Sequence, residues 1–241
     1  MSSKGGVVAV TCLALEARIA QGPGVSVLCM QTPGLRQALQ AAIAQGASGI
    51  ISFGIAGGLA PDLAAGDWVV ASGVWSGTKI IATDRAWSQR LLEMLPRAAH
   101  AEVVGWDTLV PSIEQKSDLY DATGAVAVDM ESHIAGQIAA EHHIPFAACR
   151  VIIDAADRAL PPAATLGLRL DGTPDVRAVL RSVRRQPEQI PSLIRTALDA
   201  RLAERALRRG RKKLGAGLGF PYYRNLSVEL GLPVSSPSLI G

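Results

Sequence analysis

Between residues 7 and 153, short apolar runs rich in β-branched residues alternate with stretches whose apolar residues recur every three or four positions. That alternation leaves few folds open, because each run suits one strand and each longer intervening stretch one helix. Residues 7–13, 25–30, 49–53, 68–72, 75–82, 102–106, 126–130 and 145–153 read as strands. The helices are 34–44, with Leu35, Leu39, Ala42 and Ile43 at helical spacing and Gly46 placed to end it, 84–95, closed by Pro96, and 131–142. Strands alternating with helices predict a largely parallel sheet covered on both faces. Pro161 and Pro162 open a loop, after which 175–185 and 189–210 read as helices and the chain from Gly215 as loop. The expected organisation is one catalytic domain over residues 5–160 and a basic helical extension over 161–241, packed on or beside it.

A chain of 241 residues with 49 % hydrophobic and 19 % charged residues is globular and can bury one sizeable core. Aromatics make up only 4 %, so that core is built from Ala, Val, Ile and Leu. The longest charge-free stretch, 37–61, carries five glycines and three glutamines and switches from helical to strand pattern, so it is no membrane span. No signal peptide is expected, and the three cysteines, odd in number and far apart, read as reduced thiols of a cytoplasmic protein. Neither they nor the four histidines show metal-ligand spacing, so no metal and no cofactor are expected.

The net charge of +3 is unevenly spread. Residues 177–213 hold twelve Arg or Lys against three acids, a local +9, which leaves −6 for the remainder (3 − 9). No aromatic occurs within residues 147–219, so the basic region lacks a stacking platform and no nucleic-acid partner is expected. Ile190, Ile194, Leu198 and Leu202 recur every four residues beside a basic row of Arg201, Arg205, Arg208 and Lys212. A basic amphipathic helix of this kind suits peripheral contact with an anionic membrane face. Packing of the apolar stripe on the catalytic domain explains the pattern equally well.

Candidate chemistry lies at strand ends. The glycine-rich stretch 54–58 follows an apolar run and reads as a turn that lets backbone approach a ligand, or as a tight turn alone. It is not a dinucleotide fingerprint, because Leu59, Ala60 and Pro61 lead to another strand instead of a helix. Glu16 follows the first strand, Asp129, Met130 and Glu131 the strand 126–130, and Asp154 the strand 145–153. Acids at such junctions complement helix N-termini. Three of them, Glu16, Glu131 and Asp154, at the carboxyl ends of three strands also describe a ligand cleft in which mutual repulsion holds protons.

These segments carry a resemblance. Residues 52–70, SFGIAGGLAPDLAAGDWVV, resemble the glycine-rich segment of the nucleoside phosphorylase and methylthioadenosine/S-adenosylhomocysteine nucleosidase superfamily. VAVDMES at 126–132 and PFAACRVIID at 145–154 are similar to two further segments of that family, in the same order. SFGIAGGL, ALEAR at 14–18 and the basic tail are most similar to the hopanoid-associated phosphorylases, which act on adenosylhopane.

The resemblance implies a three-layer α/β/α, phosphorylase/hydrolase-like fold with a central mixed, mostly parallel sheet. It implies cleavage of a purine (adenine) nucleoside at its N-glycosidic bond, with phosphate as co-substrate and a lipid-linked nucleoside as substrate. Hydrolysis of the methylthioadenosine nucleosidase type is the alternative, and a non-catalytic nucleoside-binding protein a second. A homo-oligomer is also implied. Asp154 would act as general acid towards purine N7, Glu131 would hold the ribose hydroxyls, and Glu16 would position the nucleophile. Met130 and Asp129 would adjoin the sugar, Gly57 and Gly58 would line the sugar and nucleophile pocket, and Asp107, Thr108 and Leu109 would frame the base. Arg18 and Lys79 are candidates for phosphate. The chain departs from the family at Ile55, where a hydroxyl donor is usual, at Ile153 before the acid, and at Asp129, shorter than the usual Glu.

Overall fold

The computed structural model describes residues 6–30, 32–166 and 175–222. Eight strands form one mixed sheet: β1 (Val7–Thr11), β2 (Val25–Cys29), β3 (Gly49–Gly58), β4 (Trp68–Ser76), β5 (Lys79–Ala82), β6 (Ala99–Gly105), β7 (Ala127–Asp129) and β8 (Phe146–Asp154). The path runs β2-β1-β3-β7-β6-β4-β5, and β8 pairs with both β3 and β4. Strands β3, β8, β4, β6 and β7 therefore close on themselves as a small barrel, with β1–β2 and β5 extending it. Pairings β1–β2, β1–β3, β3–β8, β4–β6 and β6–β7 are parallel; β3–β7, β4–β5 and β4–β8 are antiparallel.

The sheet is covered by α1 (Ala14–Ala20), α2 (Thr32–Ala44), α3 (Arg85–Met94), α4 (Ile113–Thr123) and α5 (Ser132–Glu141), followed by α6 (Pro162–Leu166), α7 (Val176–Arg185) and α8 (Ile190–Leu214). Alternate strand residues separate two cores, as the period of two requires. Val7, Ala9, Ile51, Phe53, Cys149 and Val151 pack against α1, α3 and α8; Val8, Val10, Ile50, Ala148 and Ile152 pack against α2 and α5. The three-layer α/β/α arrangement with a mixed, mostly parallel sheet follows from these two faces.

Several elements differ from the sequence reading. Residues 54–58 are not a turn: β3 runs through them, pairing with β8 on one side and β7 on the other, with an irregularity between Ala56 and Gly57. The run 68–82 is a hairpin broken at Gly77 and Thr78. Helix α4 was not expected, because its sequence IEQKSDLYDAT shows little apolar periodicity. The capping box of Ser112 and Gln115 starts it, and Gly124, in the left-handed conformation at φ 68°, ends it.

The extension is not a separate body. Ala203, Ala206, Leu207 and Leu214 of α8, with Leu218 and Phe220 beyond it, belong to the core formed with α1 and α3. The stripe Ile190, Ile194, Leu198 and Leu202 lies elsewhere on α8 and is 42–58 % exposed. The far tail, residues 223–241, lies outside the described residues. Among the described residues no helix is long and apolar enough to cross a membrane.

Candidate active site

Glu16 lies in the first turn of α1, directly after β1. Its Oε2 accepts the backbone N–H groups of Cys12 (2.9 Å) and Leu13 (2.7 Å), and its Oε1 accepts that of Ile55 in β3 (2.7 Å). A Cβ at Gly54 would lie 2.3 Å from Glu16 Oε1, so only glycine leaves room for this carboxylate. The glycine-rich strand thus holds an acid in place.

Asp129 ends β7 and Glu131 caps α5. Asp129 Oδ1 accepts the N–H groups of Glu131 (2.9 Å) and Ser132 (2.7 Å), and its Oδ2 accepts the Ser132 hydroxyl (2.5 Å). Arg150 of β8 reaches both acids: its Nη2 is 3.1 Å from Asp129 Oδ1 and 3.1 Å from Glu131 Oε2, and it also donates to the Ser52 hydroxyl. Asp129 therefore spends its oxygens inside the protein. Glu131 does not: its buried Oε1 meets no N–H or O–H donor among the described residues, and the Cys12 thiol stands beside the carboxylate.

Asp154 ends β8 and pairs through Oδ2 with the ammonium of Lys116, a fully buried residue of α4. The same ammonium donates to the carbonyls of Ala155 and Arg158, each at 2.9 Å. Burial drives the proton affinities here. It raises Glu131 to about 7, against the pull of Arg150 and with help from Asp129 and Glu16. It raises Glu16, opposed by Arg150 and by the N–H donors, and it raises Asp154, opposed by Lys116. The Cys12 thiol is pushed up by burial and then by the Glu131 and Glu16 carboxylates.

Glu16, Asp129, Glu131 and Asp154 line one cleft of about 390 Å³. Gly57, Thr108, Leu109 and Met130 line it too, with Ile55, Val128 and Ile153. Leu160 at the end of the expected catalytic domain and, from the extension, Ala164, Thr165 and, in α8, Thr196 complete one side of the cleft.

Other expected residues stand elsewhere. Gly58 lies behind the cleft, where a Cβ would meet the Asp154 carbonyl at 3.1 Å. Asp107 is exposed and bonds His133 Nε2 at 3.1 Å, outside the lining. Arg18 is exposed, its Nε donating to the Ala14 carbonyl at 3.3 Å, and Lys79 is exposed on the edge strand β5; neither lines the cleft. Sequence reasoning missed Arg150 and Lys116. An arginine inside the apolar run FAACRVIID is a visible signal of a buried charge that needs acids. Lys116 gives no such signal. Among the described residues no cluster of His, Cys, Asp and Glu is suited to a metal ion.

The fold has known counterparts. Futalosine hydrolase of Helicobacter pylori superposes with a TM-score of 0.63 at 15 % identity, covering 88 % of this chain and 96 % of that one. The 5′-methylthioadenosine/S-adenosylhomocysteine nucleosidase of Helicobacter pylori gives 0.62 at 14 % identity, covering 95 % and 100 %. A putative nucleosidase of the same type from Francisella philomiragia gives 0.61 at 17 %, covering 88 % and 96 %. No curated protein matches the chain in sequence. The profile of the phosphorylase superfamily matches residues 16–198, which run from the first acid of the cleft to α8. By that match, the chain belongs to the phosphorylase superfamily.

Proposed function

We propose that the chain cleaves the N-glycosidic bond of a purine nucleoside of the adenine type in this cleft. The observation that carries the reading is Glu131, a buried carboxylate lining the cleft with one oxygen held by Arg150 and the other without an N–H or O–H donor, beside the weakly donating Cys12 thiol. A ribose hydroxyl supplies the missing donor. Asp154 lies at the same cleft and serves as general acid: the C1′–N9 bond breaks, its electron pair leaves with the purine, and a proton passes from Asp154 to N7. Positive charge then builds on the sugar, where the Glu131 and Glu16 carboxylates stabilise it and Met130 packs. The Helicobacter pylori nucleosidase has been solved with butyl-thio-DADMe-Immucillin-A, which supports a nucleoside-like ligand for this fold.

Charge favours water as the nucleophile. Arg150 and Lys116 are both bound to acids, Arg18 and Lys79 lie away from the cleft, and a phosphate dianion would face four carboxylates. In hydrolysis the oxygen of water bonds to C1′ and its proton passes to Glu16. The second reading, phosphorolysis of adenosylhopane, is favoured by the similarity of SFGIAGGL and ALEAR to the hopanoid-associated phosphorylases. It requires a cation beyond the residues that line the cleft. Incubation with adenosine-type nucleosides with and without phosphate decides between them: release of free adenine without phosphate is the expected result. Adenine release only with phosphate establishes the second reading, and no release in either case removes the enzymatic one.

The apolar part of the cleft bears on the 5′ substituent. Leu109, Leu160 and Ala164 offer an apolar wall, and Leu109 is 47 % exposed. A large apolar 5′ group fits such a wall better than a polar one. Thr196 ties this side of the cleft to α8, which exposes Ile194, Leu198 and a row of arginines. We read α8 accordingly as a peripheral contact with an anionic membrane face, from which a lipid-linked nucleoside enters.

A further inference from the structure

We propose that Lys116 is a positioning residue for Asp154: it fixes the carboxyl with Oδ1 alone available to the base and sets the pH range over which Asp154 carries a proton. The inference rests on the proposed role of Asp154 as general acid, but its first test does not need substrate.

The geometry is that of a built pair. Lys116 is fully buried, and its ammonium has three acceptors, Asp154 Oδ2 and the carbonyls of Ala155 and Arg158. An ammonium has three protons to donate, so these three acceptors saturate it. The two carbonyls hold it from beyond the strand end, so it ties the end of β8 and the following loop to α4. Among the described residues Asp154 Oδ1 accepts no hydrogen bond, while Asp154 lines the cleft. The lysine thus removes the rotation that would exchange the two oxygens. One free oxygen permits one strong contact with a base.

The pair also tunes acidity. A buried carboxyl without a cation holds its proton to high pH and is a poor acid; one beside an ammonium releases it more readily. The other charged groups around Asp154 do not replace the lysine. Asp199 of α8 adds negative charge. Glu16, Asp129 and Glu131 share the cleft, with Arg150 committed to the last two. Asp157 and Arg158, on the loop after β8, are paired with each other at 3.6 Å. Removing Lys116 therefore leaves Asp154 facing only acids.

The test compares wild type with Lys116→Met and Lys116→Arg. The first readout is the titration of the Asp154 carboxyl carbon by NMR without substrate. Lys116→Met is expected to raise the midpoint by about one pH unit or more, and Lys116→Arg to return it towards wild type. The second readout is the pH profile of kcat/KM on an adenine nucleoside, whose high-pH limb is expected to move up with the same midpoint. An unchanged midpoint in a folded Lys116→Met variant overturns the proposal. A moved midpoint in a chain that cleaves no nucleoside leaves the pair standing and removes the enzymatic reading instead. Should Lys116→Met not fold, the wild-type protein still decides: the Lys116 Nζ resonance must shift as the Asp154 carboxyl titrates, and an Nζ resonance that does not respond overturns the proposal.

Discussion

Arg150 donates to Glu131 across 3.1 Å in the interior, with the two side chains only 1 % and 3 % exposed. The arginine comes from the middle of β8 and the glutamate from the cap of α5, so the contact joins a central strand to the helix that follows β7. It also explains why Glu131 can lie beside Asp129 and Glu16 in one small volume. Three carboxylates without a cation would give up their charge; one guanidinium shared between two of them keeps the cluster partly ionised and fixes where its oxygens stand.

Arg150→Met is therefore expected to destabilise the fold by about 3–5 kcal/mol, because it strands Glu131 and Asp129 as buried acids without a partner. Urea denaturation at neutral pH measures this. A loss below about 1 kcal/mol would mean that the acids relax to solvent and that the pair holds little.

Glu131 raised to about 7 from 4.5 gives a pH dependence with a definite sign. Between those values the unfolded chain has released the proton and the folded one retains it. Stability therefore falls as pH rises through the window, by at most about 1.4 kcal/mol per pH unit for this one group, and levels off above it. Glu131→Gln is expected to flatten the slope. The same variant should lower kcat far more than it weakens binding of free adenine, since in the proposed role Glu131 stabilises charge that arises on the ribosyl group during bond cleavage. Equal losses in both would place Glu131 against the base.

Asp154→Asn keeps the shape of the side chain and removes the transferable proton. Turnover on purine nucleosides is expected to fall ~10²–10⁴-fold, the usual contribution of a positioned general acid. Circular dichroism separates this loss from misfolding. Near-wild-type turnover in a folded variant would remove the role assigned to Asp154.

Gly54→Ala tests why glycine stands in the middle of β3. The added methyl would lie 2.3 Å from Glu16 Oε1 and 3.0 Å from Arg150, so the Glu16 carboxylate has to leave its three N–H donors. Activity is expected to drop to the level of Glu16→Gln, and the double variant should lose little more than either single one. Additive losses would show that Gly54 acts through something other than Glu16.

What the sequence reveals follows the signals each element carries. The strands β1, β3 and β8 are apolar and β-branched enough to be read directly, and the acids that follow β1, β7 and β8 meet in one cleft because the sheet brings those strand ends together. Helix α4 is polar along most of its length, so the period that exposes α2 is absent there, and a lysine in such a stretch looks like a solvated one. Lys116 is buried for a reason found only in three dimensions: Asp154 and two carbonyls from the end of β8 surround it. The glycines of β3 misled in the opposite way. Gly57 and Gly58 pair with β7 as strand residues, and Gly54 stands where it does because Glu16, 38 residues earlier in the chain (54 − 16), needs the space.

The exposed side of α8 makes the last prediction. Its two ends differ: Ala203, Ala206, Leu207, Gly210 and Leu214 are buried against the catalytic core, whereas Ile190, Ile194, Leu198 and Leu202 are 42–58 % exposed beside exposed Arg195, Arg201, Arg205 and Arg208. Val176 and Leu180 of α7 are exposed as well, at 61 % and 64 %. Apolar side chains rimmed by arginine suit the boundary of an anionic bilayer, where each basic residue near the surface contributes ~1 kcal/mol. The protein is expected to float with vesicles containing phosphatidylglycerol at low salt and to stay behind with neutral phosphatidylcholine. The double substitution Ile194→Glu with Leu198→Glu should abolish flotation without unfolding the chain, because both side chains face outward. Light scattering on the same variant separates the competing explanation. If wild type ignores anionic vesicles and the substitution instead turns a larger assembly into a smaller one, the stripe joins two copies of this chain and the membrane reading falls.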